Sequence, residues 1–413
     1  MSNDKNIRLK VENLTLIFGK RKKEALAMLE KGASKNEILK KTKCTVGVKK
    51  ANFEIEEGEI FVIMGLSGSG KSTLIRCLNR LNEPTAGKVF FKEHDITRDT
   101  NKQLLQTRRT EMSMVFQKFG LLPHRTILEN AAFGLEIRGE SKEKRNEKAK
   151  QALKTVGLEG YEDQYPSEMS GGMQQRVGLA RALANDSDVL LMDEAFSALD
   201  PLIKSDMQDE LLQIQNKLHK TIVFITHDLD EAMKVGDRIA IMKDGVVEQI
   251  GTAEEILTNP ASDYVKAFVE KVDRKTIITA ETLMFDRPTV VRIQKDGPKG
   301  TMRKMREAGV EVLPVEDDTE KFLGFVWLED MIKLEKEKAK SVEKALYTDV
   351  HSVYGSYTVE EMLPLITGHH HPLAVIDQEG KLLGLVTQTS LIIEATRFED
   401  IEMGELIDKA KDL

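Results

Sequence analysis

The sequence predicts an α/β domain with a largely parallel sheet, followed by a smaller α+β module. From residue 7 to about residue 270, short apolar runs alternate with helical patterns, as is typical of an α/β fold. A glycine-rich loop directly follows one of these runs. Beyond residue 275 the segments 313–328 and 373–388 share seven of sixteen positions at an offset of 60, which indicates two copies of one small unit.

Length and composition restrict the classes of protein to consider. The 413 residues exceed one core of usual size, so we expect two or three domains. A net charge of −7 gives no reason to expect a nucleic-acid partner, and only two cysteines, Cys44 and Cys77, suit the cytosol. We find no signal peptide and no run near the roughly 20 apolar residues of a membrane helix, so any membrane role is expected to be peripheral.

The first domain contains three clear strand candidates and one interruption. The strands are Ile60–Met64, Val189–Met192 and Ile222–Ile225. A charged segment from Lys20 to Lys43 breaks the alternation, and its apolar residues are spaced for short amphipathic helices. We interpret this segment as an insertion.

The glycine-rich loop, GLSGSGKST, follows the strand Ile60–Met64 and opens a predicted helix from Ser72 to Leu81. Glycines let backbone N–H groups close on phosphate oxygens, and the helix N-terminus adds positive potential. The lysine of such a loop reaches the β- and γ-phosphates, and the hydroxyl after it binds Mg²⁺. The candidate ATP-binding residues here are Gly65, Ser67, Gly68, Gly70, Lys71, Ser72 and Thr73.

Two acids follow the second strand candidate. Asp193, at the end of a buried strand, can hold Mg²⁺ beside the loop, and Glu194 can take a proton from an attacking water. The alternative is a strand that simply meets solvent in two acidic residues.

Four further motifs follow, and together with the glycine-rich loop they lie in order along about 160 residues. They are Gln117 in MVFQKFGLLPH, the segment MSGGMQ at 169–174 before the helical run QQRVGLARALA, the tetrapeptide from Ser197 to Asp200, and His227 in ITHD. With these motifs the chain resembles the ABC ATPases. The resemblance implies a P-loop domain at residues 1–275, with a RecA-like core and a helical subdomain at about residues 118–185.

The resemblance also implies a head-to-tail homodimer, in which each ATP lies between the loop of one subunit and the MSGGMQ motif of the other. Phe18 is the candidate for stacking on adenine, and a core phenylalanine is the alternative at that position. The implied catalytic residues are Glu194, His227 and Asp200; the implied metal ligands are Ser72, Gln117 and Asp193; the ATP-binding residues outside the loop are Phe18, Gln117, Ser170, Gly171 and Gly172.

Long strings such as EIFVIMGLSGSGKSTLIRCLNRLNEPTAG look like the ATPase subunit of bacterial glycine betaine/proline importers. That resemblance implies two permease subunits, a substrate-binding protein or domain, and a place at the cytoplasmic face of the membrane. Two alternatives stay open: an importer of another small solute, such as an amino acid, and a soluble ABC ATPase of DNA repair or translation. No residue of this chain identifies the solute, because other subunits recognise it.

The repeat resembles a tandem CBS module, with one copy at 276–338, a second at 339–397 and an acidic tail at 398–413. The usual nucleotide-binding pattern is split between the copies, since Trp327 replaces the hydroxyl residue of the first and Ser390 the acid of the second. A cyclic dinucleotide is therefore one candidate ligand of the module. The alternative is that the module binds no ligand and only braces the ATPase dimer.

Regulation by salt or a dianionic nucleotide is a further hypothesis. A continuous helix between the two copies would align Lys333, Lys336, Lys340 and Lys344 in one basic stripe, available to the acidic tail. The alternative is that both segments are simply solvated, since exposed ion pairs contribute only about 0–1 kcal/mol.

Overall fold

Three strands, β3 (Ile60–Met64), β7 (Val189–Asp193) and β8 (Thr221–Thr226), are buried along their whole length, as expected of the central strands of a parallel sheet. The structure is a computed structural model that describes residues 6–117, 120–197, 199–270, 272, 274–366 and 371–396. The chain divides into two compact units, Met1–Val269 and Glu270–Leu413, and each is described by itself.

The first unit contains ten strands and eleven helices among its described residues. The strands are β1 (Ile7–Phe18), β2 (Thr45–Glu56), β3 (Ile60–Met64), β4 (Ala86–Phe91), β5 (His94–Asp95), β6 (Met112–Phe116), β7 (Val189–Asp193), β8 (Thr221–Thr226), β9 (Arg238–Lys243) and β10 (Val246–Gly251). The helices are α1 (Lys22–Glu30), α2 (Lys35–Thr42), α3 (Lys71–Leu78), α4 (Asn101–Thr110), α5 (Ile127–Ile137), α6 (Lys142–Thr155), α7 (Gly171–Ala184), α8 (Pro201–Leu218), α9 (Leu229–Val235), α10 (Ala253–Thr258) and α11 (Asp263–Val269).

A six-stranded sheet in the order β10-β9-β3-β8-β7-β6 forms the base of this unit. Strands β9, β3, β8, β7 and β6 are parallel, and β10 is antiparallel to β9. Met64 is in register with Thr226, and Asp193 with both Ile225 and Phe116. The carboxyl ends of four neighbouring strands therefore meet at one edge, which confirms the α/β prediction.

A second, antiparallel sheet in the order β2-β1-β4-β5 shares one apolar core with the first sheet and with α3. Helices α5, α6 and α7 pack on one another. In the chain they lie between β6 and β7. The predicted helix Ser72–Leu81 begins one residue earlier and ends at Leu78, since Asn79 accepts a hydrogen bond from the N–H of Leu81 and Arg80 has a φ of 52°.

The segment from Lys20 to Lys43 forms two short helices, α1 and α2, between β1 and β2, as its apolar spacing predicts. Ser34 and Glu37 form a capping box that begins α2, and Lys43 ends it in the left-handed conformation. The buried residues of both helices share a small core with the adjoining strands; its members are Ile17, Ala25, Leu29, Ile38, Cys44 and Val46.

The second unit repeats one order of elements, strand-helix-strand-strand-helix. Its strands are β11 (Phe285–Asp286), β12 (Val291–Arg292), β13 (Val312–Glu316), β14 (Phe322–Trp327), β15 (Ser352–Tyr354), β16 (Leu373–Ile376) and β17 (Leu382–Val386), and its helices are α12 (Ala280–Leu283), α13 (Pro298–Ala308), α14 (Leu328–Lys336), α15 (Val359–Ile366) and α16 (Gln388–Thr396). The first copy runs from β12 to α14 and the second from β15 to α16. Their sheets have the orders β12-β13-β14 and β11-β17-β16-β15.

The continuous helix predicted between the two copies is wrong. Helix α14 ends at Lys336, because Lys338 adopts a φ of 56° and the N–H of Ala339 turns back to the carbonyl of Leu334. This turn brings Val342 into the apolar core of the first copy. Lys333, Lys336, Lys340 and Lys344 therefore do not share a helical face. Lys333 instead pairs with Asp330 at 2.8 Å, and the acidic tail at 398–413 lies outside the described residues.

Among the described residues, no helix has the combination of length and apolar character that crossing a membrane requires.

Candidate nucleotide site

The carboxyl edge of the six-stranded sheet brings together four of the predicted motifs. Gln117 follows β6, Glu194 follows β7, His227 follows β8, and the glycine-rich loop at 65–70 follows β3. Because these strands are neighbours and parallel, residues more than 150 positions apart lie on one edge of the sheet. His227 lies exposed there.

The loop needs glycine at the positions where its backbone turns most sharply. Gly65 has a φ of 148°, and a Cβ atom added there would lie 2.2 Å from the carbonyl oxygen of Met242. Gly70 has a φ of 105°, and its added Cβ would lie 2.5 Å from the carbonyl oxygen of Gly47. Gly68 and Ser67 are exposed at the tip of the loop, and Ser72 and Thr73 are half-buried in the first turn of α3.

Lys71 is buried at the base of the loop. Its Nζ donates to the carbonyl oxygens of Gly65 at 2.7 Å and Leu66 at 3.2 Å, and lies 3.9 Å from Oε1 of Glu194. Burial lowers the pKa of Lys71, and the nearby Glu194 and Asp193 act in the opposite direction. The loop thus positions a desolvated cation where phosphate oxygens can replace its carbonyl partners.

Asp193 is buried, and Nη2 of Arg76 on α3 lies 3.0 Å from its Oδ2. Arg76 belongs to no motif, so this ion pair was not predicted from the sequence. Asp193, Ser72 and Gln117 supply carboxylate, hydroxyl and amide oxygens, and a donor set of this kind suits Mg²⁺, which binds few protein ligands together with phosphate oxygens and water. Arg76 is the cation that balances Asp193 in the structure itself.

Glu194 occupies a sharp turn, with a φ of 49°. Nε2 of Gln117 donates to its Oε2 at 2.9 Å and to Oγ of Ser197 at 3.2 Å. The hydroxyl of Ser197 donates in turn to the backbone carbonyl of Glu194 at 2.9 Å. The predicted general base is therefore oriented by an amide on one side and lies close to the Lys71 ammonium on the other. Ala198, the next residue of the same motif, lies outside the described residues.

The other two motifs form the N-termini of neighbouring helices. Ser170 caps α7 by accepting a hydrogen bond from the N–H of Met173 at 3.3 Å, and Asp200 caps α8 by accepting one from Leu202 at 3.1 Å. A Cβ added to Gly172 would lie 2.7 Å from Cγ2 of Ile203, so α7 packs closely on the first turn of α8. Gly171 and Gly172 open α7, where backbone N–H groups have no partner within the helix.

No hydrogen bond or ion pair among the described residues joins Ser170, Gly171 or Gly172 to the glycine-rich loop.

Phe18 ends β1 and is 43% exposed, so it is not a core phenylalanine. A Cβ added to Gly47 would lie 2.9 Å from Cε2 of Phe18 and 3.0 Å from Cγ2 of Thr73. The ring is thus adjacent to the first turn of α3, where an adenine base could stack on its exposed face.

Tyr264 on α11 is a further contact of the loop that the sequence did not predict. Burial raises the pKa of Tyr264. A hydrogen bond from the backbone of Leu66 to its hydroxyl oxygen is a smaller effect and acts to lower that pKa. The same oxygen lies 3.5 Å from the carbonyl of Met242, and Nζ of Lys243 lies 4.6 Å from the ring centroid. Tyr264 therefore links the entry of the loop to the last helix of the first unit.

The second unit has a cavity of about 580 Å³ between its two copies. Phe285, Arg287, Thr289, His371 and Thr387 are among the residues that line it. Thr387 is the hydroxyl residue of the split nucleotide pattern, and its Oγ1 lies 3.0 Å from Oγ of Ser390.

Comparison with known proteins supports both predicted parts of the chain, the ABC ATPase domain and the CBS module. The ABC transporter family matches residues 48–197, and the CBS domain family matches residues 342–396. The glycine betaine/carnitine transport ATP-binding protein GbuA of Listeria monocytogenes is 53% identical over 93% of this chain and 96% of its own length. The glycine betaine transport ATP-binding protein OpuAA of Bacillus subtilis is 52% identical over 94% of this chain and 92% of its own length.

Among solved structures, the ADP- and Pi-bound dimer of the ATP-binding cassette MJ0796 is similar to 59% of this chain and 98% of its own, with a TM-score of 0.51 and 33% identity. The glycine-rich loop, Ser170 and Glu194 lie within residues 48–197, the range that the ABC transporter family matches. The chain belongs to the ABC transporter family, among the ATP-binding subunits of glycine betaine transport systems.

Proposed function

We propose that this ABC ATPase hydrolyses ATP to drive import of a compatible solute of the glycine betaine or proline type. The observation that carries the proposal is the placement of Glu194 between the Gln117 amide and the Lys71 ammonium, at the sheet edge that the loop shares. The names of the relatives support the choice of solute, since GbuA and OpuAA are both described as glycine betaine transport proteins.

In this proposal Glu194 accepts a proton from the water that attacks the γ-phosphate. Lys71 exchanges the carbonyls of Gly65 and Leu66 for phosphate oxygens, and its charge offsets the charge that develops there. His227 contacts the γ-phosphate from the adjacent strand. Asp193, Ser72 and Gln117 are the proposed ligands of Mg²⁺, which neutralises phosphate charge when bound.

We further propose that two copies close head to tail on ATP, so that Ser170, Gly171 and Gly172 of one copy face the loop of the other and Asp200 lies at the same interface. The first-turn N–H groups of α7 suit a phosphate, because a helix N-terminus carries positive potential. Loss of the γ-phosphate removes an interaction that favours the closed state, so the pair opens. Two permease subunits and a substrate-binding protein, with the ATPase at the cytoplasmic face of the membrane, complete the proposed importer.

The second unit is proposed to regulate this cycle rather than to catalyse it, because the phosphate-handling residues of the proposed site all belong to the first unit. The cavity that contains Phe285 and Arg287 combines an aromatic ring and a guanidinium, two groups that suit a nucleotide base and a phosphate. A cyclic dinucleotide is the proposed ligand, and ionic strength is the second proposed signal.

The decisive experiment is ATP hydrolysis by Glu194→Gln. This substitution keeps the shape and the contact with Gln117 but removes the base, so turnover should fall by about two orders of magnitude or more while ATP binding persists. Glu93→Gln, an exposed acid in the same unit, is the matched control and should hydrolyse ATP normally. Near-normal turnover by Glu194→Gln would contradict the proposed mechanism.

Transport itself is tested separately, in vesicles that contain the purified permease and this subunit, supplied with the substrate-binding protein. ATP-dependent uptake of labelled glycine betaine is expected from the complete assembly and should disappear with Glu194→Gln. Uptake of a common amino acid in place of glycine betaine would favour the alternative solute.

A further inference from the structure

His227 lies between two residues whose side chains are held by hydrogen bonds. Thr226 ends β8 before it, and Asp228 after it caps α9 by accepting a hydrogen bond from the N–H of Glu231 at 3.3 Å. The N–H of Asp228 donates to Oγ1 of Thr226 at 3.0 Å, and that hydroxyl donates in turn to a carboxylate oxygen of Glu231. These bonds fix the backbone on both sides of His227, whereas His227 itself is exposed.

Lys204 on α8 supplies the positive charge that both of these acids face. Its Nζ lies 2.6 Å from Oδ2 of Asp228 and 3.6 Å from Oε2 of Glu231, whose side chain is only 4% exposed. Burial lowers the pKa of Lys204, but the hydrogen bond with Asp228 and the charge of Glu231 outweigh it, so the pKa is raised. Loss of this ammonium would leave a buried carboxylate without its cation.

The backbone of Lys204 is bonded to another residue of the predicted site. Asp200 caps α8, and its carbonyl oxygen accepts a hydrogen bond from the N–H of Lys204 at 2.8 Å. Lys204 is therefore joined through its backbone to Asp200, which is proposed to lie at the partner interface, and through its side chain to Asp228, the neighbour of His227. A single residue connects the two motifs.

A second ion pair joins the same two helices further from His227. Nζ of Lys234 on α9 lies 2.7 Å from Oδ1 of Asp209 on α8. Its side chains are 36% and 54% exposed, whereas that of Lys204 is 18% exposed. The Lys234 pair also ties α8 to α9, so it provides a comparison that separates helix packing from the position of His227.

We propose that Lys204 is a positioning residue for ATP hydrolysis, which holds His227 toward the γ-phosphate and fixes it relative to Asp200. This role rests on the proposed ATPase function. When two copies close on ATP, the partner subunit meets the start of α8 at Asp200. Because Lys204 joins that end of α8 to the segment that carries His227, closure of the dimer and the orientation of His227 are coupled.

The test compares kcat and KM for ATP of full-length variants with those of the parent protein, in steady-state kinetics with Mg²⁺. Lys204→Met keeps the aliphatic stem and removes the charge, so kcat should fall by about tenfold because His227 spends less time in the productive orientation. KM should stay within about twofold of the parent value, since the loop at 65–73 is untouched. Lys204→Arg keeps the charge and should restore most of kcat. Lys234→Met breaks the second ion pair and, as the matched control, should hydrolyse ATP at the parent rate.

A second variant covers the case in which Lys204→Met does not fold. Asp228→Asn removes the ion pair but keeps a side-chain oxygen that can cap α9, and it should lower kcat by about tenfold. Because both substitutions break the same pair, the double variant should lose no more activity than either single variant. Circular dichroism and thermal unfolding show which variants are folded before their kinetics are compared.

Dimer formation distinguishes an effect on His227 from an effect on the interface. Combined with Glu194→Gln, which should retain ATP, Lys204→Met should still form the ATP-dependent dimer on size-exclusion chromatography. Loss of that dimer would place the effect at the interface and overturn the positioning role. A folded Lys204→Met protein with kcat within about twofold of the parent, or an equal loss in Lys234→Met, would overturn it too. All three results leave the proposed function intact, which fails only if Glu194→Gln alone hydrolyses ATP at a near-normal rate.

Discussion

Gln117 is hydrogen-bonded to Glu194, with Nε2 of the amide 2.9 Å from Oε2 of the carboxylate. The contact joins residues that follow two neighbouring strands, β6 and β7. Because the Lys71 ammonium lies 3.9 Å from the other carboxylate oxygen, Glu194 is held on both sides. We therefore predict a positioning role of Gln117 toward Glu194, in addition to its proposed contact with Mg²⁺.

We expect Gln117→Ala to lower kcat for ATP hydrolysis by about tenfold, because the freed carboxylate spends less time in the productive orientation. KM for ATP should change little. Steady-state kinetics at saturating Mg²⁺ measure both, and Gln213→Ala on the exposed face of α8 is the control. A large rise in KM at constant kcat would instead assign Gln117 to binding alone.

Arg76 balances the buried charge of Asp193 at 3.0 Å, and Mg²⁺ would compete for the same carboxylate. Arg76→Ala should therefore lower the Mg²⁺ concentration for half-maximal ATPase activity by several-fold. Without nucleotide its Tm should fall by a few degrees, since an unpaired buried carboxylate costs about 1–3 kcal/mol.

Addition of Mg²⁺ and ATP should reverse most of this decrease in the Tm of Arg76→Ala. Arg76→Lys keeps the charge and should behave like the parent protein, while Arg98→Ala removes an exposed arginine as a control. An unchanged Mg²⁺ requirement would show that Arg76 and the metal do not compete.

Tyr264 ties the loop entry at Leu66 to α11, which directly precedes the second unit in the chain. Tyr264→Phe keeps the ring and removes the hydroxyl. We expect KM for ATP to rise by about two- to fivefold with kcat unchanged, the effect of one neutral hydrogen bond on the loop backbone. Tyr161→Phe, at an exposed tyrosine, is the control, and equal kinetics for both variants would refute a role for Tyr264.

The central strands could be predicted from the sequence because buried parallel strands are continuous apolar runs. Predicted and observed bounds of β3 both read Ile60–Met64, whereas β7 extends the prediction by one residue at its end and β8 by one residue at each end. The continuous helix predicted from Lys333 through Lys344 failed because burial of Val342 outweighed local helix propensity.

Contacts between residues far apart in the sequence could not be predicted from the sequence alone. Arg76 and Asp193 are 117 positions apart, and only the register of the sheet brings them together. Lys35 lies in a segment whose spacing predicted helices but could not show that α2 begins beside Gly245. The motifs thus indicated the candidate residues for phosphate binding, and the fold adds the residues that contact them.

The last prediction concerns Gly172, whose added Cβ would lie 2.7 Å from Cγ2 of Ile203. Alanine favours a helix over glycine by up to about 1 kcal/mol, so propensity alone would make Gly172→Ala stabilising. The contact with Ile203 should reverse that gain by pushing the start of α7 away from α8. Because Ser170 and Asp200 cap these two helices, the displacement would separate the two groups proposed to face the partner subunit.

We therefore expect Gly172→Ala to lower kcat by about tenfold or more while each subunit still binds ATP, since the loop at 65–73 is untouched. Combining it with Ile203→Ala removes the obstructing methyl and should restore most of the activity, so the two changes are not additive. Ile203→Ala alone is the control and should be nearly as active as the parent protein. The ATPase rate and ATP-dependent dimer formation, followed by size-exclusion chromatography, are measured for the parent protein, both single variants and the double variant. Failure of the double variant to recover would show that the Cβ atom obstructs the nucleotide of the partner subunit directly rather than through α8.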